Sequence, residues 1–192
     1  MRHAMILLRH GQSEFNLHFG ATGQDPGIPD APLTALGHRQ AEAAAEALAG
    51  EDIRRILCSP YTRALQTAAP VARRLGLPVV VTPAVRERRG ASCDIGSSRT
   101  DLAQAWPHLD FGAVEEVWWP PEDEPHDAFA ARAALFHADA TARPDWAHTL
   151  VVCHWGFIMA LTGQGLTNGD WLRCAVSEDG RLLRVDPASG RG

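Results

Sequence analysis

Short apolar runs of strand length alternate with amphipathic stretches of helix length along most of this chain, and that alternation constrains its fold more than any other feature. Met5-Ile6-Leu7-Leu8 predicts a strand. A helix is expected from Thr34 to Ala49, with Thr34 at its N-cap, Leu33 ahead of it and Gly50 as its stop. Arg54-Arg55-Ile56-Leu57-Cys58 is the next strand. Ser59 is then expected to cap a helix that carries Pro60 at its first position and runs to about Leu75. Val79-Val80-Val81, Ala128 to Ala140, Thr149 to Cys153 and Phe157 to Leu161 continue as strand, helix, strand and the start of a helix. Such an order implies an α/β, three-layer sandwich: a mostly parallel central sheet with helices on both faces. The 192 residues, 45% of them apolar, fit one domain spanning 1–192. The stretch at about 90–127 departs from the pattern, with Trp118-Trp119-Pro120-Pro121 among accumulating acids, and reads as an excursion or lid. Leu172 to Val185, around Asp179-Gly180, reads as a hairpin.

Composition excludes several chemistries. All 18 basic residues are Arg, so no P-loop, Schiff-base or pyridoxal-phosphate lysine exists. A net charge of -5 gives no basic footprint for nucleic acid. No run of about 18 apolar residues predicts a membrane span, and the Met5–Leu8 run is too short for a signal-peptide core. Cys58, Cys93, Cys153 and Cys174 are scattered, with no CxxC pair, and are expected to be reduced. Together these place the chain in the cytoplasm, with no nucleic-acid or membrane partner.

Open parallel sheets bind ligands at the carboxyl ends of their strands. Four such ends carry chemistry here: Arg9-His10-Gly11, Cys58-Ser59-Pro60 with Arg63 following, Val85-Arg86-Glu87, and His154-Trp155-Gly156. Two His, two Arg and one Glu therefore converge on one edge. Arg63 falls in the first turn of a helix, where an anion is favoured. Arg9 adjoins a buried strand and needs a partner of opposite charge. The set points to a phosphate site. Short-spaced metal ligands such as HExxH, a complete nucleophile elbow and a GxGxxG turn are all missing.

Leu8-Arg9-His10-Gly11-Gln12-Ser13-Glu14-Phe15-Asn16 resembles the RHG signature of the histidine phosphatase superfamily, whose fold is phosphoglycerate mutase-like. Leu33 to Ala41 is similar to its LTxxGxxQA helix entry, Ser59 to Ala68 to its SPxxRAxQTA segment, and His154-Trp155-Gly156 to its late HxG. Four motifs in order make the match specific. The resemblance implies that His10 is the nucleophile and forms a phosphohistidine, with Arg9, Arg63 and His154 completing the catalytic set. Arg9 and Arg63 would grip phosphoryl oxygens through forked donors. Protonated His154 would add positive charge, and Asn16 a neutral donor. Backbone N–H groups near Gly11 and Gly156 would approach the anion closely. Thr22-Gly23 resembles the family's phosphate-side loop, and Trp155 joins the substrate-binding set.

A carboxylic acid is the family's usual proton donor, and Glu87 is the candidate, with Glu14 as fallback. In relatives of the sugar-bisphosphatase type the acid precedes a Gly-containing loop that ends in a Cys-acid pair. Here Glu87-Arg88-Arg89-Gly90-Ala91-Ser92-Cys93-Asp94 keeps the pair, with Gly90 one place early. Burial would raise the Glu87 pKa while Arg86, Arg88 and Arg89 would lower it.

The expected reaction is phosphomonoester hydrolysis without metal or cofactor, best at mildly acidic to neutral pH, on a small phosphorylated metabolite. Mutase-type transfer is the alternative. Arg is absent from Thr100 to Ala131, which disfavours a bisphosphorylated ligand, although Arg86, Arg88, Arg89 and Arg99 are candidates for a second anion. A phosphoprotein phosphatase or a non-catalytic phosphate-binding regulator ranks third. Trp106, Trp118 and Trp119 are read either as a leaving-group pocket or as packing, and the Trp-rich excursion leaves a homodimer open.

Overall fold

The structure is a computed structural model and describes residues 4–177 and 182–185. Six strands form one sheet: β1 (Met5–Arg9), β2 (Arg55–Cys58), β3 (Val79–Val81), β4 (Thr149–Cys153), β5 (Trp171–Val176) and β6 (Leu182–Arg184). Their order across the sheet is β3-β2-β4-β1-β5-β6. The β1–β4, β2–β4 and β2–β3 pairs are parallel; β5 and β6 add an antiparallel edge. Among the described residues the α-helices are α1 (Glu14–Thr22), α2 (Ala35–Leu48), α3 (Thr62–Leu75), α4 (Arg99–Ala105), α5 (His126–Thr141) and α6 (Trp155–Thr162).

Alternation along the strands sorts the core into two halves. Ile6, Leu8, Ile56, Cys58, Leu150 and Val152 pack with Ala44, Leu48, Leu65 and Ala68 of α2 and α3. Met5, Leu7, Leu57, Val151 and Cys153 face the other way, onto Phe129, Phe136, Phe157 and Ile158 of α5 and α6. Every residue of β4 is buried, as a central parallel strand covered on both faces requires. The result is the α/β three-layer arrangement expected from the alternation. None of the helices described is long and apolar enough to cross a membrane.

Local expectations hold at several points and fail at others. Thr34 caps α2, its hydroxyl accepting from the Gly37 N–H at 3.0 Å. That helix ends at Leu48 on a right-handed Ala49, so Gly50 is not its C-cap. The helices α5 and α6 each begin two residues earlier than their patterns suggest. The β5–β6 hairpin pairs Val176 with Leu182, while its expected turn at Asp179-Gly180 lies outside the described residues. Two helices were not legible. α1 is closed by a capping box between Ser13 and Asn16, and α4 lies inside the excursion. That excursion is not draped over the surface: Leu102, Phe111, Val114 and Trp118 belong to the same core half as α2 and α3. Trp118 meets Tyr61 edge-on at 4.6 Å and donates to the Ser97 carbonyl, which favours the packing reading of this Trp.

Ser59 does not cap α3. The helix starts at Thr62, and Tyr61 at its N-cap makes no side-chain cap bond. Asp30, distant in sequence, substitutes: its carboxylate accepts from the Thr62 N–H at 2.8 Å and from the Thr62 and Ser97 hydroxyls. Asp30 holds this position at φ +40°, a left-handed conformation that Asp tolerates. Asp30→Ala is therefore expected to lower stability by about 2 kcal/mol, read as a drop in the urea unfolding midpoint at unchanged slope.

Candidate active site

The register of the sheet builds the site. Arg9 pairs with Cys153 across β1 and β4, so His10 and His154 leave adjacent parallel strands side by side, their rings 5.1 Å apart. Cys58 pairs with Val152, which brings Ser59 beside them. His154 Nε2 and Ser59 Oγ share a 2.8 Å hydrogen bond. This is the role Ser59 takes in place of a helix cap.

His10 is almost fully buried, and its Nδ1 lies 2.7 Å from the Gly11 carbonyl oxygen. A carbonyl can only accept, so Nδ1 carries the proton and Nε2 keeps the lone pair. Burial, and after it the nearby Arg63 and Arg9 cations, push the imidazole well below its ordinary pKa. His10 is thus favoured as the neutral imidazole, with its lone pair on Nε2. Burial, Arg63 and His10 act likewise on His154, which is neutral here rather than a third positive charge. Its Nδ1 is buried with no hydrogen-bond partner among the described residues.

The two arginines are held differently. Arg63, 2% exposed, donates to the Cys93 carbonyl at 2.7 Å and to Asp94 at 3.2 Å, and stacks over Tyr61 at 4.3 Å. Burial opposes its charge, but Cys93, Asp94 and Tyr61 outweigh it and keep the guanidinium cationic. The Cys-acid pair of the loop is therefore the seat of the buried arginine. Arg9 donates to the Leu166 carbonyl at 2.6 Å, and its buried Nε has no partner among the described residues. Burial lowers its pKa to about 10, with Glu87 pulling upward, so it too remains a cation.

Glu87 reaches the same place from beyond β3. Its Oε2 accepts from the Gly156 N–H and its Oε1 from the Arg88 N–H, both at 2.9 Å. A Cβ on Gly156 would overlap Oε1, so the HxG glycine makes room for the carboxylate. Burial raises the Glu87 pKa, against the two backbone donors. The neighbouring arginines do not reverse this because they are turned elsewhere: Arg86 to Glu124, and Arg89 to the Ala91 carbonyl.

Other expectations are redistributed. The Gly11 N–H donates to Thr67 Oγ1 and the Gly156 N–H to Glu87, so neither is left free for an anion. Asn16 Oδ1 accepts from Ser13 and from Asn168 Nδ2, leaving its own NH2 group as donor. Thr22 and Gly23 are exposed at the end of α1, where Thr22 bonds to His18 and Gln24; the structure does not join them to the His10 cluster. Glu14 lies in the first turn of α1 and Glu87, not Glu14, touches Gly156. Trp155, 47% exposed, packs over Gly165 at the start of α6. Sequence reasoning missed Ser59, Asp94 and Asn168 as site residues. Asp94 carried a signal in the Cys-acid pair and Ser59 in the motif that it opens; Asn168 carried none.

The signature glutamines and glycines work as ties between strand-end loops. Gln40 Oε1 accepts from the Gln12 N–H and Gln66 Oε1 from the Leu33 N–H. Gly11 and Gly37 meet backbone to backbone: a Cβ on either would overlap the other loop's main chain. With the four motifs brought together around His10 and His154, the family model of the histidine phosphatase superfamily (branch 1) matches residues 5–191. The chain belongs to the histidine phosphatase superfamily. It is 31% identical over 177 residues to a glucosyl-3-phosphoglycerate phosphatase of Mycolicibacterium vanbaalenii, covering 87% of this chain and 76% of that one. An Enterobacter protein named "Probable phosphoglycerate mutase" is 29% identical, covering 78% and 68%. Among solved structures, the alpha-ribazole phosphatase of Shigella flexneri superposes with a TM-score of 0.65 at 26% identity, over 95% of both chains. This histidine phosphatase thus shares its architecture with phosphomonoester hydrolases.

Proposed function

We propose that the chain hydrolyses a small phosphorylated metabolite, without a metal, through a phosphohistidine on His10 Nε2. The observation that carries this reading is the buried His10, its Nδ1 proton held by the Gly11 carbonyl, set among Arg9, Arg63 and a Glu87 carboxyl anchored on the Gly156 N–H. In the first step Nε2 forms a bond to phosphorus as the ester oxygen leaves with the proton of Glu87. In the second, water attacks phosphorus, the Glu87 carboxylate takes its proton, and the P–N bond breaks to release inorganic phosphate. Arg9, Arg63, Asn16 and His154 Nδ1 hold the phosphoryl oxygens, whose charge the two guanidiniums balance. Trp155, which follows His154 and is half exposed, is the outer substrate-binding residue, while Thr22 and Gly23, bonded only locally at the end of α1, are left out of the site. Residues 1–192 act as one domain in which the 90–127 excursion is a packed wall carrying Asp94.

The name of the Mycolicibacterium relative supports a sugar or glycerate phosphate as substrate class. Phosphoryl transfer between two hydroxyls is the second reading, favoured by the mutase-named relative. Against it, two of the arginines open to a second anion are already engaged, Arg86 with Glu124 and Arg99 with Glu116.

Hydrolysis of p-nitrophenyl phosphate in excess EDTA tests the reading. Turnover that survives chelation and releases inorganic phosphate is expected; dependence on added metal would overturn it. The pH dependence of kcat/KM follows from the shifts. Activity rises with pH as His10 loses its proton, which its lowered pKa places below the usual imidazole range. On phenyl phosphate, whose leaving group needs the proton, it falls again as Glu87 ionises, which its raised pKa places above the usual carboxylate range. Glu87→Gln is expected to abolish the alkaline fall.

A further inference from the structure

Glu87 is placed by a segment that is itself held from behind. Glu124, 7% exposed, accepts from Arg86 Nη2 at 3.1 Å and from both Nε and Nη2 of Arg132, at 2.9 and 2.7 Å. Arg132 then spends Nη1 on the Ala84 and Arg86 carbonyls, at 3.0 and 2.9 Å, and Nη2 reaches the Glu87 carbonyl at 3.4 Å. The Glu124 backbone closes the frame: its N–H donates to the Arg89 carbonyl and its carbonyl accepts from Arg88 Nη1. One buried acid and one arginine of α5 thus hold the main chain from residue 84 to residue 89.

The same arginine touches the opposite support. Its guanidinium lies 4.9 Å from the Phe129 ring centroid and 5.8 Å from that of Phe157. Phe157 follows Gly156, whose N–H holds the Glu87 carboxylate. Arg132 therefore spans the segment that carries Glu87 and the helix that receives it.

We propose that the Glu124–Arg132 clamp positions the general acid, keeping the Glu87 carboxyl in line with the leaving oxygen. This rests on the reading of Glu87 as proton donor. Without the Glu124 charge, two largely buried cations, Arg86 and Arg132, lose their shared carboxylate, and the hold on the 84–89 segment weakens. An acid displaced by about an ångström loses much of its effect, while the nucleophile and the oxyanion contacts stay in place.

The experiment compares p-nitrophenyl phosphate, whose phenolate leaves readily unprotonated, with phenyl phosphate, nearly the same shape but with a leaving group that needs the proton. The readout is the ratio of kcat/KM for the two substrates within each variant, which is independent of the fraction of protein that is folded. Glu124→Gln is expected to depress phenyl phosphate hydrolysis about tenfold more than p-nitrophenyl phosphate hydrolysis. Arg132→Lys, which keeps the charge but not the carbonyl bonds, is expected to act in the same direction and serves if Glu124→Gln folds poorly. Glu87→Gln is the reference. Equal losses on both substrates in the two clamp variants, with a discriminating Glu87→Gln, would overturn the positioning role alone. A Glu87→Gln that treats the substrates alike would overturn the role of Glu87, and the clamp's with it.

Discussion

His10→Ala is expected to lower turnover on the order of 10⁴-fold or more, because it removes the one group that takes phosphorus and leaves water to attack directly. The loss should come in kcat rather than in phosphate affinity: Arg9 and Arg63 are held by Leu166, Cys93 and Asp94, none of which depends on the imidazole. Rapid quench of radiolabelled substrate into alkaline detergent should trap a phosphoenzyme, stable to base and lost on acid treatment, in the parent chain and none in the variant. Binding of inorganic phosphate should persist in both. A variant that still forms phosphoenzyme would place the nucleophile elsewhere.

The second large effect concerns stability. Gly37→Ala puts a methyl group into the Gln12 main chain, and the reverse side of the same contact is Gly11 against the Gly37 carbonyl. Neither partner can give way as a side chain would. Gln12 also holds Thr34 through its carbonyl and Gln40 through its N–H. The expected cost is about 3 kcal/mol, the upper end of overpacking in a close-packed interior. Gly20→Ala is the control. It sits in α1 with nothing near its added Cβ and should be neutral or stabilising by about 0.5 kcal/mol. A Gly37→Ala protein as stable as its parent would refute the backbone contact.

The strands and the long helices were legible because their apolar spacing is local. So were the positions of His10, Arg9, Arg63, His154 and Glu87, since each ends or follows a strand or opens the helix after one. What escaped were contacts between segments far apart in sequence. Asp30 caps a helix whose first residue is 32 positions away, and Ser59 meets His154 across 95 positions. No periodicity encodes such pairs. The helix α1 was hidden for a different reason. Phe15, Leu17 and Phe19 recur every second residue, a strand-like spacing, and only Phe15 is buried. Its helical state is imposed at one end by Ser13 and Asn16. The motif glutamines were recognisable as a signature, yet their work as carbonyl hooks on neighbouring loops appears only in three dimensions.

In the sheet order, β4 lies between β1 and β2, so the two strands that lead into His10 and Arg63 never pair with each other. During synthesis the ribosome releases His10 and Arg63 long before Thr149 to Cys153 exists to join them. Half of a catalytic centre is therefore carried by a chain that cannot yet use it. Hydrolytic competence arrives late and all at once, when the last parallel strand slots into the middle; a protein stopped at residue 148 should display both residues and hydrolyse nothing.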